Sequence, residues 1–251
     1  MDLFSLEGKK VIVTGAGSGL GCSIAVGLAQ ARAEVAILDV MPDIVDKARE
    51  LSQQGGRFHG IRADLLDRES LKAGFEEAAA KLGGVDILVN NAGMQVRGAA
   101  EDIEISAWDR LIELNVTAVF ELSQLAARKM KDSGGGKIIN VASMLSFFGG
   151  YRCSPYAASK GAVAQLTKAF SNEWAGMGIQ VNAIAPGYMD TPLNTAIIND
   201  PKRNEEITLR IPAHRWGKPE DLIGTVIYLA SQASDYVTGA VIPIDGGYLG
   251  R

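Results

Sequence analysis

"VIVTGAGSGLGCSIAVGLAQARAEVAILD", residues 11–39, holds an apolar run, a turn with glycines at 15, 17, 19 and 21, a small-residue segment and a second apolar run closing on an aspartate. Strand, glycine turn, helix and strand in that order describe a parallel βαβ crossover. Gly15 permits the tight turn, Gly19 lets the backbone approach a pyrophosphate, and Gly21 lets the helix pack on the strand. Around Ser18, Gly19 and Leu20 the first N–H groups of the helix have no partner within it and point at whatever anion lies before them. A glycine turn alone signifies little; between these two strands it reads as a dinucleotide site.

Asp39 closes the second strand, where a carboxylate accepts hydrogen bonds from adenosine ribose hydroxyls. Val40 and Met41 follow it and the glycine turn carries no basic residue, so a 2′-phosphate would meet a carboxylate with no adjacent arginine. NAD is therefore expected rather than NADP.

The rhythm of residues 11–39 continues along the chain. Further strand candidates are "FHGIRAD", "DILVNNAG", "KIINVAS", "IQVNAIAP" and "AVIPIDGG", and helix-like stretches run over 19–31, 42–54, 67–81, 106–131, 154–175 and 219–231. Continuous apolar strands separated by helices predict a Rossmann-type doubly wound parallel sheet of about seven strands, helices on both faces, in a single α/β domain over 1–251. Residues 190–213 break the rhythm: polar, and with prolines at 192, 201 and 212, they read as a lid over a pocket.

The 251 residues suffice for one substantial core, and a net charge of −4 with both signs interspersed gives no nucleic-acid surface. Two cysteines, Cys22 and Cys153, and two histidines, His59 and His214, stand in no metal-ligating spacing, so neither a zinc site nor a disulfide scaffold is expected. The first residues lack the charged and apolar regions of a leader, and no apolar run reaches the ~20 residues that span a bilayer. A cytoplasmic protein is expected.

"SPYAASK", residues 154–160, places Tyr156 and Lys160 four positions apart, on one face of a helix. A free phenol titrates near ~10 and is a poor proton carrier at neutral pH, but a neighbouring ammonium favours the phenolate. The pair has the makings of an acid/base device.

With "TGAGSGLG", "NNAG", Ser143, "YAASK" and "PGYMDT" in this order, the chain resembles the short-chain dehydrogenase/reductase family over residues 6–250. The resemblance implies a catalytic tetrad of Asn115, Ser143, Tyr156 and Lys160: Ser143 on the reacting oxygen, Tyr156 exchanging the proton, Lys160 on the nicotinamide ribose and lowering the tyrosine pKa, Asn115 anchoring a water. It implies cofactor contacts from Asp64 and Leu65 to the adenine, from Asn91 or Asn90, Ala92 and Gly93 along the ribose, and from Pro186, Gly187, Met189 and Thr191 at the nicotinamide. A homotetramer is also implied, and the small face of Ala157, Gly161 and Ala164 suits close packing against a partner. "GGKIINVASMLSFFGGYRCSPYAASKGAV" and "IPAHRWGKPEDL" are similar to a branch of that family acting on keto sugar acids. For such a carboxylate Arg152 is the first candidate, with Arg97 and Arg210 behind it, and Met94, Gln95, Met144, Ser146 and Phe148 are expected pocket walls. A 3-oxoacyl-thioester reductase, a general polyol dehydrogenase and a non-catalytic NAD-sensing regulator remain the alternatives.

Overall fold

The apolar runs become strands because each is bounded by turn residues and rich in β-branched side chains. In a computed structural model that describes residues 3–251, the side chains of Leu193 and Ala196 apart, these are β1 (Lys10–Thr14), β2 (Glu34–Asp39), β3 (Arg57–Arg62), β4 (Ile87–Asn90), β5 (Gly136–Val141), β6 (Ile179–Pro186) and β7 (Val241–Ile244). They form one sheet in the order β3-β2-β1-β4-β5-β6-β7, every neighbouring pair parallel. The helices between them are α1 (Gly19–Gln30), α2 (Ile44–Gln53), α3 (Arg68–Leu82), α4 (Ile105–Ile112), α5 (Ala118–Asp132), α6 (Ser154–Trp174), α7 (Thr195–Ile198), α8 (Pro201–Arg210) and α9 (Ile223–Ala230).

Strand alternation explains why consecutive residues of the central strands are apolar. In β1, Val11 and Val13 join a core layer with Ile24 and Leu28 of α1, whereas Ile12 between them joins the opposite layer with Phe75 of α3 and Leu122 of α5. Strand order reverses at β1 and β4, and the crevice outside their carboxyl ends is where a doubly wound sheet takes its ligand.

A chain of polar side chains crosses the middle of the sheet. Asn90 of β4 donates through Nδ2 to Ser123 Oγ of α5 (3.0 Å) and to Asn140 Oδ1 of β5 (2.9 Å), and Asn140 Nδ2 donates to Thr167 Oγ1 of α6 (2.9 Å). Buried amides are costly unpaired, so these bonds fix how α5 and α6 seat on the strands.

Two segments differ from expectation. Residues 106–131, read as one helix, are α4 and α5 joined by a π-turn over Glu113–Thr117. Residues 190–213 hold far more regular structure than their composition suggests: a 3₁₀ turn over Pro192–Asn194, then α7 and α8. Pro192 and Pro201 sit in first turns, where a missing N–H costs nothing, and Asp200 caps α8 by accepting from Arg203 N (3.2 Å). Met1 and Asp2 lie outside the described residues. Among the described residues no helix is long and apolar enough to cross a membrane and no cluster of acidic, histidine or cysteine side chains is arranged to hold a metal ion.

Candidate active site

At the carboxyl ends of the central strands the glycine turn enters α1. Gly21 is demanded by close packing, since a Cβ there would run into the Gly15 carbonyl oxygen. Gly19 is different: its φ is +56° and a Cβ would meet nothing within 4 Å, so this backbone faces an open cleft. Ser18 makes no side-chain cap and the first turn of α1 carries no acidic residue, which leaves the helix N–H groups turned to the cleft. That cradle fits a pyrophosphate.

The cleft has a volume of about 570 Å³ and brings together most of the expected cofactor residues: Gly15, Ser18, Gly19, Leu20, Asp39, Asp64, Leu65, Asn91, Ala92, Gly93, Tyr156, Lys160 and Thr191 all line it. Asn91 is held by β1, donating through Nδ2 to the Thr14 (2.9 Å) and Gly15 (3.0 Å) carbonyls, while Asn90 is turned into the sheet. Pro186, Gly187 and Met189 stand apart. Gly187 lines a neighbouring cavity, and the Met189 side chain is buried in the core, so its segment meets the cleft only through Thr191 and Pro192. Val141, Leu114 and Arg110 also line the cleft, and no motif marks them in sequence.

Asp39 accepts from Gly17 N at Oδ2 (2.8 Å) and from Met41 N at Oδ1 (3.1 Å). The expectation that it has no arginine beside it is corrected by the sheet: Asp39 pairs in register with Arg62 of β3, whose Nε donates to Val40 O (3.4 Å). Residues 23 apart in sequence become neighbours only through parallel pairing.

Tyr156 stands where this cleft meets a second cavity of about 950 Å³, which Ser143, Met144, Phe148, Gln95 and Arg152 also line. Ser143 ends the β5 segment and accepts from Leu145 N (3.1 Å). Of the expected walls, Met94 faces the cofactor cleft instead. Ser146 faces a separate hollow, because its hydroxyl is spent on the Lys160 carbonyl (2.6 Å). Three cations besides Arg152 border the second cavity: Arg97, bonded to Asn194 Oδ1 (3.4 Å), Arg203, and Arg210, which lies 5.0 Å from the Tyr248 ring centroid. Arg203 and Tyr188 were not foreseen; the spacing 203, 206, 207, 210, which turns one face of α8 to the cavity, is the signal that was available. Arg152 has a left-handed backbone, φ +56°, a conformation a non-glycine residue adopts at a cost.

The electrostatics differ from the simple pairing of Tyr156 with Lys160. Burial pushes the Tyr156 phenol up to about 12, offset in part by hydrogen bonding with the Ser143 side chain and, more weakly, by the Arg97 charge. Lys160 is itself fully desolvated, which brings its ammonium down to about 8; its Nζ donates to Val141 O (2.6 Å) and lies 5.6 Å from the Tyr156 ring centroid. In the protein alone, then, desolvation governs the phenol.

Asn115 lies in the π-turn and is wholly buried. Its Nδ2 donates to Met94 O (2.9 Å) and Ser159 Oγ (3.1 Å), and its Oδ1 accepts from Met94 N (2.8 Å). Both amide hydrogens are used, so the side chain is a strut under Met94 and α6.

A Rossmann-type sheet with a dinucleotide cleft opening at a Ser/Tyr/Lys cluster defines a pyridine-nucleotide oxidoreductase of the short-chain kind. The comparisons agree: a family model described as enoyl-(acyl carrier protein) reductase matches residues 15–249, and the chain belongs to the short-chain dehydrogenase/reductase family, enzymes that act on CH–OH groups with a dinucleotide cofactor. It is 47% identical over 253 residues to the 2-dehydro-3-deoxy-D-gluconate 5-dehydrogenase of Bacillus subtilis, covering 100% of this chain and 98% of that one. With the Escherichia coli enzyme of the same name the identity is 46% over 252 residues, covering 100% and 99%. Among solved structures, a gluconate 5-dehydrogenase from Burkholderia cenocepacia in complex with NADP and tartrate superposes with a TM-score of 0.96 at 39% identity, covering 100% of this chain and 98% of that one.

Proposed function

We propose that this protein interconverts a secondary alcohol and a ketone on a keto-deoxy sugar acid, as a 2-dehydro-3-deoxy-D-gluconate 5-dehydrogenase or 2-deoxy-D-gluconate 3-dehydrogenase, with NAD(H) preferred. The observation that carries this reading is Tyr156 standing on the border of both cavities, one suited to a dinucleotide and the other ringed by Arg97, Arg152, Arg203 and Arg210. A carboxylate is best matched by a planar guanidinium, and a cavity with several of them selects an acid over a neutral polyol. The relatives named above support the sugar-acid assignment.

The bound dinucleotide supplies the hydride acceptor or donor. In the alcohol-oxidising direction the Tyr156 oxygen takes the hydroxyl proton while Ser143 holds the reacting oxygen; in the reverse direction Tyr156 returns it. Lys160, buried beneath, holds the ribose and passes the proton on. Asn115, its side-chain amide spent on Met94 and Ser159, positions α6 and the segment at Met94 around Tyr156 and Lys160. Residues 190–213 form the lid; Trp216 Nε1, donating to Asn204 Oδ1 (2.8 Å), ties α8 to the segment behind it. The enzyme works as a homotetramer. Exposed Ile105, Trp108, Phe120 and Phe147 give α4, α5 and the approach to α6 an apolar surface to cover, although Ala164 of the small-residue face is already buried within the chain.

The test is a panel of sugar acids, polyols and 3-oxoacyl thioesters assayed by NADH absorbance. A keto-deoxy sugar acid should exceed the others in kcat/KM by at least about tenfold, the discrimination one good charged contact supports. A polyol or thioester turned over as well as any acid refutes the substrate assignment, and no turnover with any of them, NADH still binding, favours a sensor.

A further inference from the structure

The cations around the second cavity fall into two groups. Gly98 N donates to Arg152 O (3.0 Å), which sets Arg152 beside the loop that carries Arg97, and of the cavity's arginines it is Arg97 whose charge acts on the Tyr156 phenol. The other group gathers at Tyr188. Arg203 and Arg210 stand seven residues apart on α8, two turns and therefore on one face. Arg210 lies 5.0 Å from the Tyr248 ring centroid, and the Tyr248 ring stands 5.6 Å from that of Tyr188 in an edge contact. Trp216 packs on Tyr188 as well, at 5.3 Å, so the ring is held in place. Burial, and Tyr248 beside it, push the Tyr188 phenol up while Arg210 and Arg203 oppose the rise, which brings both charges within reach of one hydroxyl. Cys153 acts on both phenols, so the two stand across one cavity. Among the described residues the Tyr188 hydroxyl makes no hydrogen bond, and neither arginine, nor Glu206 on the same face of α8, enters an ion pair.

We propose that Arg203, Arg210 and the Tyr188 hydroxyl bind the substrate carboxylate, so that the sugar acid spans the cavity and presents a carbon removed from its acid group to Ser143 and Tyr156. A carboxylate placed there meets two guanidiniums bonded to no other carboxylate and one O–H donor fixed by aromatic packing. Two charges against the single one of Glu206 leave the group positive. Arg97 is the poorer partner. It already donates to Asn194 Oδ1 (3.4 Å), and a carboxylate bound to it would cancel the charge that favours the Tyr156 phenolate, the form that accepts the proton in alcohol oxidation. The proposal rests on the sugar-acid reading and concerns which end of the cavity takes the acid.

Kinetics of the full chain with NAD⁺ should compare 2-dehydro-3-deoxy-D-gluconate with its methyl ester, which keeps the carbon chain and loses the charge. The unmodified protein should prefer the acid in kcat/KM. Arg203→Ala and Arg210→Ala should each lower the acid-to-ester ratio by about ten- to a hundredfold, the range for losing a hydrogen bond to a charged group, chiefly through KM, with Arg210→Lys falling between. Tyr188→Phe keeps the ring and should lower the ratio by about tenfold or less, while Arg152→Ala should leave most of it. NADH binding, read by fluorescence, should be the same in all of them, since none of these residues lines the cofactor cleft. An equal fall for acid and ester means that α8 and Tyr188 only shape the cavity, and overturns the proposal. So does an unchanged ratio, or a ratio lost in Arg152→Ala and kept in the α8 variants. If the unmodified protein turns over neither compound while NADH still binds, the sugar-acid reading itself falls.

Discussion

Replacing Lys160 by methionine should make the protein more stable and inactive at once. Lys160 is fully desolvated and makes no ion pair among the described residues; the Val141 carbonyl is its one hydrogen-bond acceptor there. An ammonium whose pKa falls from 10.5 in water to about 8 in the folded protein is destabilised there by about 3 kcal/mol, at ~1.4 kcal/mol per tenfold. Methionine fills nearly the same volume without the charge and forfeits one hydrogen bond, worth ~1 kcal/mol. The net gain is about 2 kcal/mol, or roughly 4–8 °C in melting temperature for a chain of this size. The pH dependence identifies the cause. Below pH 8 both folded and unfolded lysine are protonated and the whole penalty acts; from there to 10.5 the folded protein releases its proton while the unfolded chain keeps it, so the wild type gains stability and the advantage of the variant shrinks. Denaturant melts of both cofactor-free proteins at pH 7 and pH 9.5 measure this. A variant less stable than wild type at pH 7, or an advantage that does not change with pH, refutes the reasoning.

Two further outcomes follow from the same site. Tyr156→Phe should fold and bind NADH while turnover falls by ~10²–10⁴, the usual cost of losing a general acid/base group; and because burial holds the phenol up at about 12, the difference in phenolate absorbance between wild type and this variant should develop above the pH of free tyrosine, with alcohol oxidation rising as pH rises. Asn115→Ala leaves Met94 N and O without their partner and takes one donor from the Ser159 hydroxyl, which still donates to Tyr156 O, so it should lower stability by ~1–3 kcal/mol in a thermal melt and lower kcat as well, whereas unchanged stability would mean that the strut is dispensable.

The sheet was legible in sequence because most strands hold a run of apolar residues bounded by turn residues, and all seven candidates are strands. The glycine turn and the Tyr156–Lys160 spacing were legible for the same reason: their geometry is local. What escaped is long-range or contextual. Arg62 comes to stand opposite Asp39 only through strand register, which no local pattern specifies. The polarity of 190–213 concealed α8, whose Pro201 and Asp200 read as breakers yet start a helix. Ser146 sits in the right stretch for a pocket wall, but its hydroxyl finds a carbonyl on α6. The direction of the Tyr156 shift also lies beyond sequence, because it is decided by desolvation, a property of the packed interior rather than of two residues four apart.

The π-turn over Glu113–Thr117 makes residues 105–132 a helix with one residue too many. Removing any one of the residues of that turn other than Asn115 would restore regular bonding and improve the helix while its two halves keep their facing, because the wide turn absorbs the extra residue. Asn115 would then swing away from Met94 and Ser159. Within this segment the better-formed helix and the working enzyme are thus alternatives, and a shortened chain that folded more firmly would do so at the expense of its chemistry.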